Sequence, residues 1–484
     1  MAAETEGDRD FDAAYRSVLS LASKGADLIR VARDRDAALA QMRTFVARLG
    51  LDLNALPPVI HVAGTKGKGS TSVMCESILR AHGAKTGLFT SPHLCSLRER
   101  FRLDGRPISE PLFLHYFWEV WDRLNDAGRR VSDVDGFDDG SEVVTTPTGG
   151  TMPPFFRFLT LLALHLFSAE KVDVLILEVG LGGRLDATNV VPRPVVTAVT
   201  TLDLDHCAVL GDTLAEIARE KAGIFKPGVP AVTCPQESSA MKVLQEVAKS
   251  ETTPLAVVSV ADLAAHAGGV MPGLGLNGEF QHINAAIAVA VTDEFRRRTM
   301  GDDAGGPFTE PEGKPDVETW RARPLAAATK AGLAAASWPG RAQVLPMRSR
   351  ARRRIVEKGH SAALPTDGAE VPENVTFFID GAHTSRSMEA CAGWFAAASA
   401  ATAAGGAVRR ILLFNCGHEK SPLELMEPLR RVCESGDGAA RFDVALFCPF
   451  DYSRPSRFSP PTSTEVVEAF FRAARLSASE GDGG

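Results

Sequence analysis

Apolar residues along this chain follow two spacings, and the switching between them outlines the fold. Over residues 11–50, Leu19, Leu21, Leu28, Ile29, Val31, Leu39, Met42, Phe45, Val46 and Leu49 recur mostly at helical intervals, which predicts a helical preface to the first sheet. Pro57 and Pro58 stop helix, and Val59-Ile60-His61-Val62-Ala63 then reads as a short buried strand. A Gly-rich turn follows at once, and Thr71 to Arg80 resumes a helical pattern. From Pro153 to Phe167, Phe155, Phe158, Leu159, Leu162 and Leu166 supply one apolar helix face. Val172 to Val179 and Val195 to Thr200 are apolar runs of strand length, and Leu214 to Ala222 returns to helix. Strands that run apolar without alternation are covered on both faces, so this order predicts a mostly parallel sheet between helices. The pattern carries no information on strand order.

The texture changes after residue 298. Residues 299–320 are rich in Gly, Asp, Pro, Glu and Lys and offer little to fill a core, so 299–336 is expected to be a linker or insertion. Trp338-Pro339-Gly340-Arg341 marks re-entry into ordered structure. Val375 to Ile379 reads as a strand, followed by Asp380-Gly381-Ala382-His383 and a helix through Phe395. After an Ala/Gly-rich stretch at 396–408, strands are expected at Arg410 to Asn415 and at 443–448. The expected organisation is therefore an α/β chain with a first domain over 1–298 and a smaller α/β domain over 337–484. No repeat of solenoid type is present.

Composition leaves this picture standing and narrows the chemistry. The chain has 484 residues, 45% apolar and 23% charged, a globular balance with enough length for more than one core. A net charge of -7 argues against nonspecific binding to nucleic acid or anionic membrane. The eight cysteines at 75, 95, 207, 234, 391, 416, 433 and 448 include no close pair of zinc-knuckle or redox type, which fits a reducing compartment. The acidic start lacks a hydrophobic signal core and the basic amphipathic character of a transit peptide, and no apolar run is long enough to span a bilayer. The cytoplasm is the expected location, and a mitochondrial form would need an alternative N-terminus.

The strongest chemical signal is Gly64-Thr65-Lys66-Gly67-Lys68-Gly69-Ser70, between a strand and a helix. Its glycines permit a compact path that turns N–H groups toward phosphate oxygens, and the helix start adds partial positive charge. Ser70 stands where the strict G-x-x-x-x-G-K-[ST] pattern has Lys, so the lysines have moved upstream. Lys68 can reach outer phosphates, and Ser70 or Thr71 can approach magnesium; Lys66 can do the same as Lys68 or face solvent. Glu178 ends an apolar strand, where α/β ligand clefts form, and reads as a magnesium ligand or an acidic turn. His206 can complete such a site or be structural, with Asp205 fixing its tautomer or bonding the turn backbone. Asp186 and Asn189 are candidates for ordering the loop after Glu178. Lys221 lies on a helix whose apolar side would make it costly unless paired or modified; the alternative is a surface lysine. Asp380 and His383 form either an ATP-facing edge or a capped turn, and Arg341 either a phosphate clamp or a linker arginine.

Several segments in fixed order carry a resemblance. They are His61–Thr71, Thr90-Ser-Pro-His-Leu94, Phe156-Arg-Phe-Leu-Thr160, Leu177–Asp186, Asp205-His206, Glu220-Lys-Ala-Gly-Ile-Phe225, Trp338-Pro-Gly-Arg341 and Asp380-Gly-Ala-His-Thr384. Together, across residues 11–450, they resemble the folylpolyglutamate synthase family, eukaryotic type, within the Mur-type ATP-dependent ligases. The resemblance implies a Mur-ligase-like P-loop central domain with a mostly parallel sheet, plus a smaller Rossmann-like C-terminal domain. It implies ATP and Mg2+ as cofactors, K+ as a stimulatory ion, and tetrahydrofolate or folylpolyglutamate and L-glutamate as substrates of a monomer in one-carbon metabolism. It assigns Ser70, Ser91, Glu178 and His206 to the magnesium region and matches Lys221 to a carbamylated lysine that also ligates metal. Lys68, His206 and Lys221 take the catalytic roles, while Gly64 to Thr71, Asn284, Arg341, Asp380 and His383 bind nucleotide. Phe156 and Arg157 shape the folate and glutamate region. The implied reaction joins glutamate to the γ-carboxyl of tetrahydrofolate or its polyglutamates through an acyl phosphate. Dihydrofolate synthase and an ATP-binding regulatory scaffold are the alternatives. A late strand with a Thr-Gly-Ser-Leu-His-Leu-Val-Gly-like sequence, usual in the family, is missing before Gly484, so a shortened C-terminal domain is expected. Gly417-His418-Glu419 also departs from the family's Gly-Asp-Arg-like segment.

Overall fold

The structure, a computed structural model, describes residues 9–22, 37–131, 144–145, 151–301, 305–309, 313–346, 376–402, 410–414, 422–434 and 442–447. The chain divides into two compact units: Met1–Gly275 with Gln281–Trp338, and Leu276–Phe280 with Pro339–Gly484.

The first unit opens with α1 (Phe11–Ser20) and α2 (Ala37–Leu49), so the expected preface is helical over its described residues. Asp10 begins α1 by accepting the Ala13 N–H. Then come β1 (Val59–Ala63), α3 (Lys68–Ala81), β2 (Thr86–Phe89), β3 (Phe101–Leu103), β4 (Arg106–Pro107), α4 (Glu110–Val131) and a small hairpin of β5 (Val144–Thr145) and β6 (Thr151–Met152). The order continues with α5 (Phe155–Ala169), β7 (Val174–Glu178), β8 (Val196–Val199), α6 (Cys207–Leu210), α7 (Leu214–Ala222), β9 (Ala231–Thr233), α8 (Ser238–Ser250), β10 (Leu255–Val257) and α9 (Val260–His266). After the excursion at 276–280, α10 (Gln281–Thr299), α11 (Val317–Arg321) and α12 (Ala327–Ala335) complete the unit.

Eight strands form one sheet in the order β10-β9-β8-β1-β7-β2-β3-β4. The six from β10 to β2 are parallel, and β3 and β4 add an antiparallel edge. β1 lies between β7 and β8, with Val62 opposite Glu178 and Ala63 opposite Val199. The loops that leave these three strands therefore emerge side by side at one carboxyl edge, where open α/β sheets bind ligands.

One core joins α1, α2, α4 and α5 to the sheet through residues such as Phe45, Phe117, Phe158, Leu162, Leu175 and Leu177, all buried. Side chains alternate across a strand, so Val174 and Ile176 face the opposite layer, where α3 and α10 pack on the sheet. Between those neighbours α3 is buried from Ser70 to Leu79 despite its polar residues. Glu76 is held there by Arg80 (2.9 Å) and the Thr86 hydroxyl (2.6 Å).

The stretch 299–336, expected as a linker or insertion, carries two helices of the first unit, and the boundary between units falls after Trp338. Trp320 of α11 is 1% exposed; its Nε1 donates to Asp293 of α10 at 3.0 Å and its ring lies 4.8 Å from that of His266. α12 packs on α3 so closely that a Cβ on Gly332 would stand 2.5 Å from the Ile78 Cα. A single indole and a close glycine contact anchor a segment whose composition is otherwise that of a loop.

In the second unit β11 (Gln343–Pro346) pairs antiparallel with β12 (Thr376–Ile379), and α13 (Ser385–Thr402) follows. The helix continues into the Ala/Gly-rich stretch, as Ala favours helix. β13 (Ile411–Phe414), α14 (Pro422–Glu434) and β14 (Val444–Phe447) form a parallel βαβ unit around Met388, Phe414, Leu425 and Leu429. Gly417-His418-Glu419 and the tail before Gly484 lie outside the described residues. Among the described residues no helix is long and apolar enough to cross a membrane.

Gly332→Ala forces a methyl group into the α3 backbone, and overpacking of this kind costs about 1–3 kcal/mol. A lowered denaturant midpoint is expected; a midpoint equal to the wild type would show that α12 yields without cost.

Candidate nucleotide site

The residues singled out in the first unit meet where β1, β7 and β8 end. The turn after β1 needs two backbone conformations that favour glycine: φ is 145° at Gly64 and 87° at Gly67. Neither position has room for a side chain, because a Cβ on Gly64 would run into the Thr200 hydroxyl and one on Gly67 into the Asn284 carboxamide. Thr200, at the end of β8, donates to the Lys66 carbonyl at 2.7 Å, and the Thr65 and Lys66 N–H groups donate to the Thr201 carbonyl at 3.0 Å. The loop thus borrows its shape from the neighbouring strand. Asn284 is buried on the first turns of α10 with its Nδ2 donating to Gln281 at 2.9 Å.

Three lysines converge on this loop. Lys68 and Lys221 donate to the same acceptor, the Gly64 carbonyl, at 3.0 and 2.9 Å, and Lys66 pairs with Asp205 at 3.1 Å. Lys221 reaches the loop because α7 begins in a fixed register: Thr213 and Glu216 form a capping box, which puts Ile217 and Lys221 on one buried face. Lys221 is 4% exposed, so the surface-lysine alternative does not hold. Burial, then the neighbouring Lys68 charge, push its amine well below the usual 10.5, against the pull of Asp205 and Asp186.

Glu178 is 4% exposed at the end of β7, and its Oε2 accepts the Ser91 N–H at 2.9 Å. Its Oε1 lies on the side of Gly69, 3.6 Å from where a Cβ there would sit. The Ser91 loop is pinned in turn by Arg100, which donates through Nε to His93 Nδ1 at 2.9 Å and accepts the Thr90 N–H on its carbonyl. Burial lowers Arg100 to about 10, with Glu178 pulling the other way. Among the described residues no three His, Cys, Asp or Glu side chains cluster as a metal site. Mg2+ does not require one, since it commonly takes one or two protein oxygens and completes its shell with phosphate and water. A buried carboxylate beside the Ser70 turn is a hard-oxygen donor set that fits this ion.

A buried relay runs behind the loop. Asp186 accepts the Leu181 N–H at 3.0 Å, the Thr188 N–H at 3.0 Å and the Thr188 hydroxyl at 2.5 Å. Since that hydroxyl donates its hydrogen bond to Asp186, its oxygen accepts from His61 Nε2–H at 2.8 Å, the tautomer that leaves Nδ1 unprotonated. Nδ1 has no partner among the described residues, and burial lowers the ring to about 3, so His61 is neutral at pH 7. Asn189 donates to the Arg184 and Gly223 carbonyls at 2.9 and 3.0 Å. Asp186 and Asn189 therefore order the loop, as expected.

The remaining residues are placed differently. His206 is exposed, with φ of 55°, at the start of α6. Asp205 accepts the His206 backbone N–H at 3.1 Å, the turn-backbone alternative, as well as Lys66. Phe156 packs against Gly180, two residues past Glu178, whereas Arg157 bonds Gln41 of α2. In the second unit, Asp380 accepts the Ala342 N–H at 2.7 Å and its carboxyl is raised by burial despite Arg341 nearby. His383 Nδ1 lies 2.8 Å from the Gly381 carbonyl. The described bonds capping α13 come from Thr384 and Ser387 rather than from the Asp380 and His383 side chains. Thr200, Arg100, Thr188 and the relay role of His61 escaped the sequence reading. Thr200 carried a signal, a hydroxyl at the end of an apolar strand; the others need the three-dimensional contact.

No family model matches the chain. Folylpolyglutamate synthase of Arabidopsis thaliana is 43% identical over 410 residues, covering 81% of this chain and 59% of the relative. The mitochondrial folylpolyglutamate synthase of Homo sapiens is 37% identical over 457 residues, covering 92% of this chain and 68% of the relative. The chain thus spans less than two thirds of the first relative and slightly more than two thirds of the second. Among solved structures, an FPGS-AMPPCP-folate complex superposes with a TM-score of 0.63 at 21% identity, covering 95% of this chain and 93% of that one, a likeness of fold. E. coli FolC in complex with DHPP and ADP gives 0.59 at 26%, covering 93% and 88%.

The amine of Lys221 sets a test of the site's electrostatics. Its folded value lies below the unfolded 10.5, so between the two the unfolded chain binds the extra proton and stability rises with pH. Lys221→Met in CO2-depleted buffer is expected to stabilise the protein at neutral pH by about 0.5–2 kcal/mol, a gain that shrinks as pH rises toward 10.5 and is absent above it. Denaturant midpoints across pH check this; a loss of stability at neutral pH would contradict it.

Proposed function

The chain belongs to the folylpolyglutamate synthase family, and from that premise we propose that it adds L-glutamate to the γ-carboxyl of tetrahydrofolate or its polyglutamates, driven by ATP. The observation that supports this most is the presence of Lys66 and Lys68 on one Gly-rich turn at a helix start, a concentration of positive charge suited to a polyphosphate. A carboxylate is a poor acyl donor. In the proposed reaction its oxygen takes the γ-phosphoryl group, ADP leaves, and the glutamate amine attacks the acyl carbon to form the amide, expelling phosphate and losing a proton.

Each residue then has a task. Lys68 exchanges the Gly64 carbonyl for the transferred phosphoryl oxygens, and the N–H groups at the start of α3 hold the inner phosphates. Ser70, Ser91, Glu178 and His206 would hold Mg2+, which when bound supplies positive charge opposite the phosphates. Burial shifts the Lys221 amine toward its unprotonated form, the form that reacts with CO2 to give a carbamate carboxylate. Asn284 holds the Gly67 turn from behind. Arg341, Asp380 and His383 are proposed for the nucleotide side of the second unit, and Phe156 and Arg157 for the folate and glutamate region.

Purified protein with ATP, Mg2+, labelled glutamate and tetrahydrofolate is expected to yield a product heavier by one glutamyl unit together with ADP. Product with dihydropteroate alone would move the activity to dihydrofolate synthase, and none with either acceptor would favour the regulatory scaffold. In the same assay Lys68→Ala should slow ADP formation by roughly 10²–10³-fold, the usual loss of a transition-state donor. Wild-type turnover would remove Lys68 from the phosphate site.

A further inference from the structure

Trp338 is the last residue of the first unit, and its surroundings are unlike those of a core aromatic. The Arg102 guanidinium of β3 lies over its ring, 4.6 Å from the centroid. The indole also meets the Gly-rich turn: a Cβ on Gly69 would stand 3.2 Å from the indole Nε1 and 3.5 Å from Cε2, with Glu178 Oε1 at 3.6 Å. Gly69 therefore faces both an indole and a carboxylate, and any side chain there would press on the ring. The ring is only partly buried.

The approach of Trp338 to this turn is prepared by the chain before it. Gly332 of α12 abuts Ser77 and Ile78 of α3, and the Ser77 hydroxyl donates to the Gly332 carbonyl at 2.7 Å. Six residues on, Trp338 meets Gly69, eight residues back along α3, so the segment runs antiparallel to the nucleotide helix and ends at its first turn. Arg102 is fixed as well: it is 8% exposed and donates to the Gly105 carbonyl at 3.2 Å. A guanidinium held this way over an indole is an attractive, orienting contact.

We infer that Trp338 is a positioning residue for nucleotide binding: clamped by Arg102, its indole backs Gly69 and holds the first turn of α3 in the shape that presents the Gly69 and Ser70 N–H groups and the Ser70 hydroxyl. This rests on the nucleotide reading of the turn and is independent of the acceptor substrate. The first four N–H groups of a helix have no intrahelical partner, so the shape of that turn decides how well they meet phosphate. An aromatic plate against glycine restricts the turn without competing for the ligand.

Titration with Mg·ADP tests this without folate. Trp338→Ala is expected to weaken Mg·ADP and raise the KM for ATP by about tenfold, while Trp338→Phe stays within about threefold of wild type because a ring still backs the turn. Arg102→Met should weaken Mg·ADP by about threefold or more, with Arg102→Lys closer to wild type. The KM for glutamate should not change in any variant, which a general loss of structure would not allow. Wild-type affinity in Trp338→Ala, or equal weakness in Trp338→Phe and Trp338→Ala, would overturn the inference. Should Trp338→Ala fail to fold, Arg102→Met decides, and wild-type affinity there overturns it too. Wild-type protein that binds Mg·ADP but forms no glutamylated product would sink the ligase reading and leave this inference standing.

Discussion

Two amines share one carbonyl at the end of the central strand. Lys68 and Lys221 both donate to the Gly64 carbonyl, and Lys66 is drawn to Asp205 beside them. Holding these cations together without an anionic ligand is unfavourable, and burial of Lys221 makes it more so. Such a turn persists only where its neighbours over-determine it. Thr200 and Thr201 bind its backbone, Asn284 blocks Gly67 from behind, and α7 is capped so that Lys221 points inward. In the proposed function, nucleotide phosphates would add negative charge beside these amines to that of Asp205.

Around that centre, polar contacts do the positioning and apolar ones the holding. Glu178 ties its strand to the Ser91 loop, Arg100 ties that loop to His93, and the His61–Thr188–Asp186 relay ties β1 to the loop after Glu178. Buried polar groups that find partners favour one geometry, since alternatives leave a desolvated group unpaired; in the relay this holds for Asp186 and Thr188, while His61 Nδ1 has no partner among the described residues. For the proposed reaction, in which a reactive acyl phosphate has to be kept from water, a pre-shaped site of this kind suits the task.

The parts of the fold most legible in the sequence were those where one local pattern had one physical solution. Val174–Glu178 is a strand because a short apolar run next to Gly-rich turns has few other uses, and Leu214–Ala222 is a helix with its capping box written in Thr213 and Glu216. The segment from 317 to 335 was not legible. Its burial depends on Trp320 finding Asp293 and His266, and on Gly332 finding the back of α3, contacts with partners far along the chain. Composition averages over such single anchors. The site divides likewise: the phosphate turn, Glu178 and Lys221 could be picked out as residues of the right type at element ends, whereas Arg100, Thr200 and Trp338 look ordinary until the sheet places them.

By itself, the sequence determined which residue types stand at the ends of which strands and helices, because helix and strand periods, glycine's backbone freedom and capping are local properties. It also determined that a Gly-rich turn bearing lysines follows the first strand and that acidic and basic side chains stand near the ends of later elements. Only the tertiary structure decided that β7 and β8 flank β1, and so that Glu178, Thr200 and Lys221 share one edge with Gly64. Strand order is set by packing between distant segments, which no window of sequence contains. The same is true of the charge state of Lys221: its amine is ordinary in the sequence and is depressed only once the fold has buried it next to Lys68.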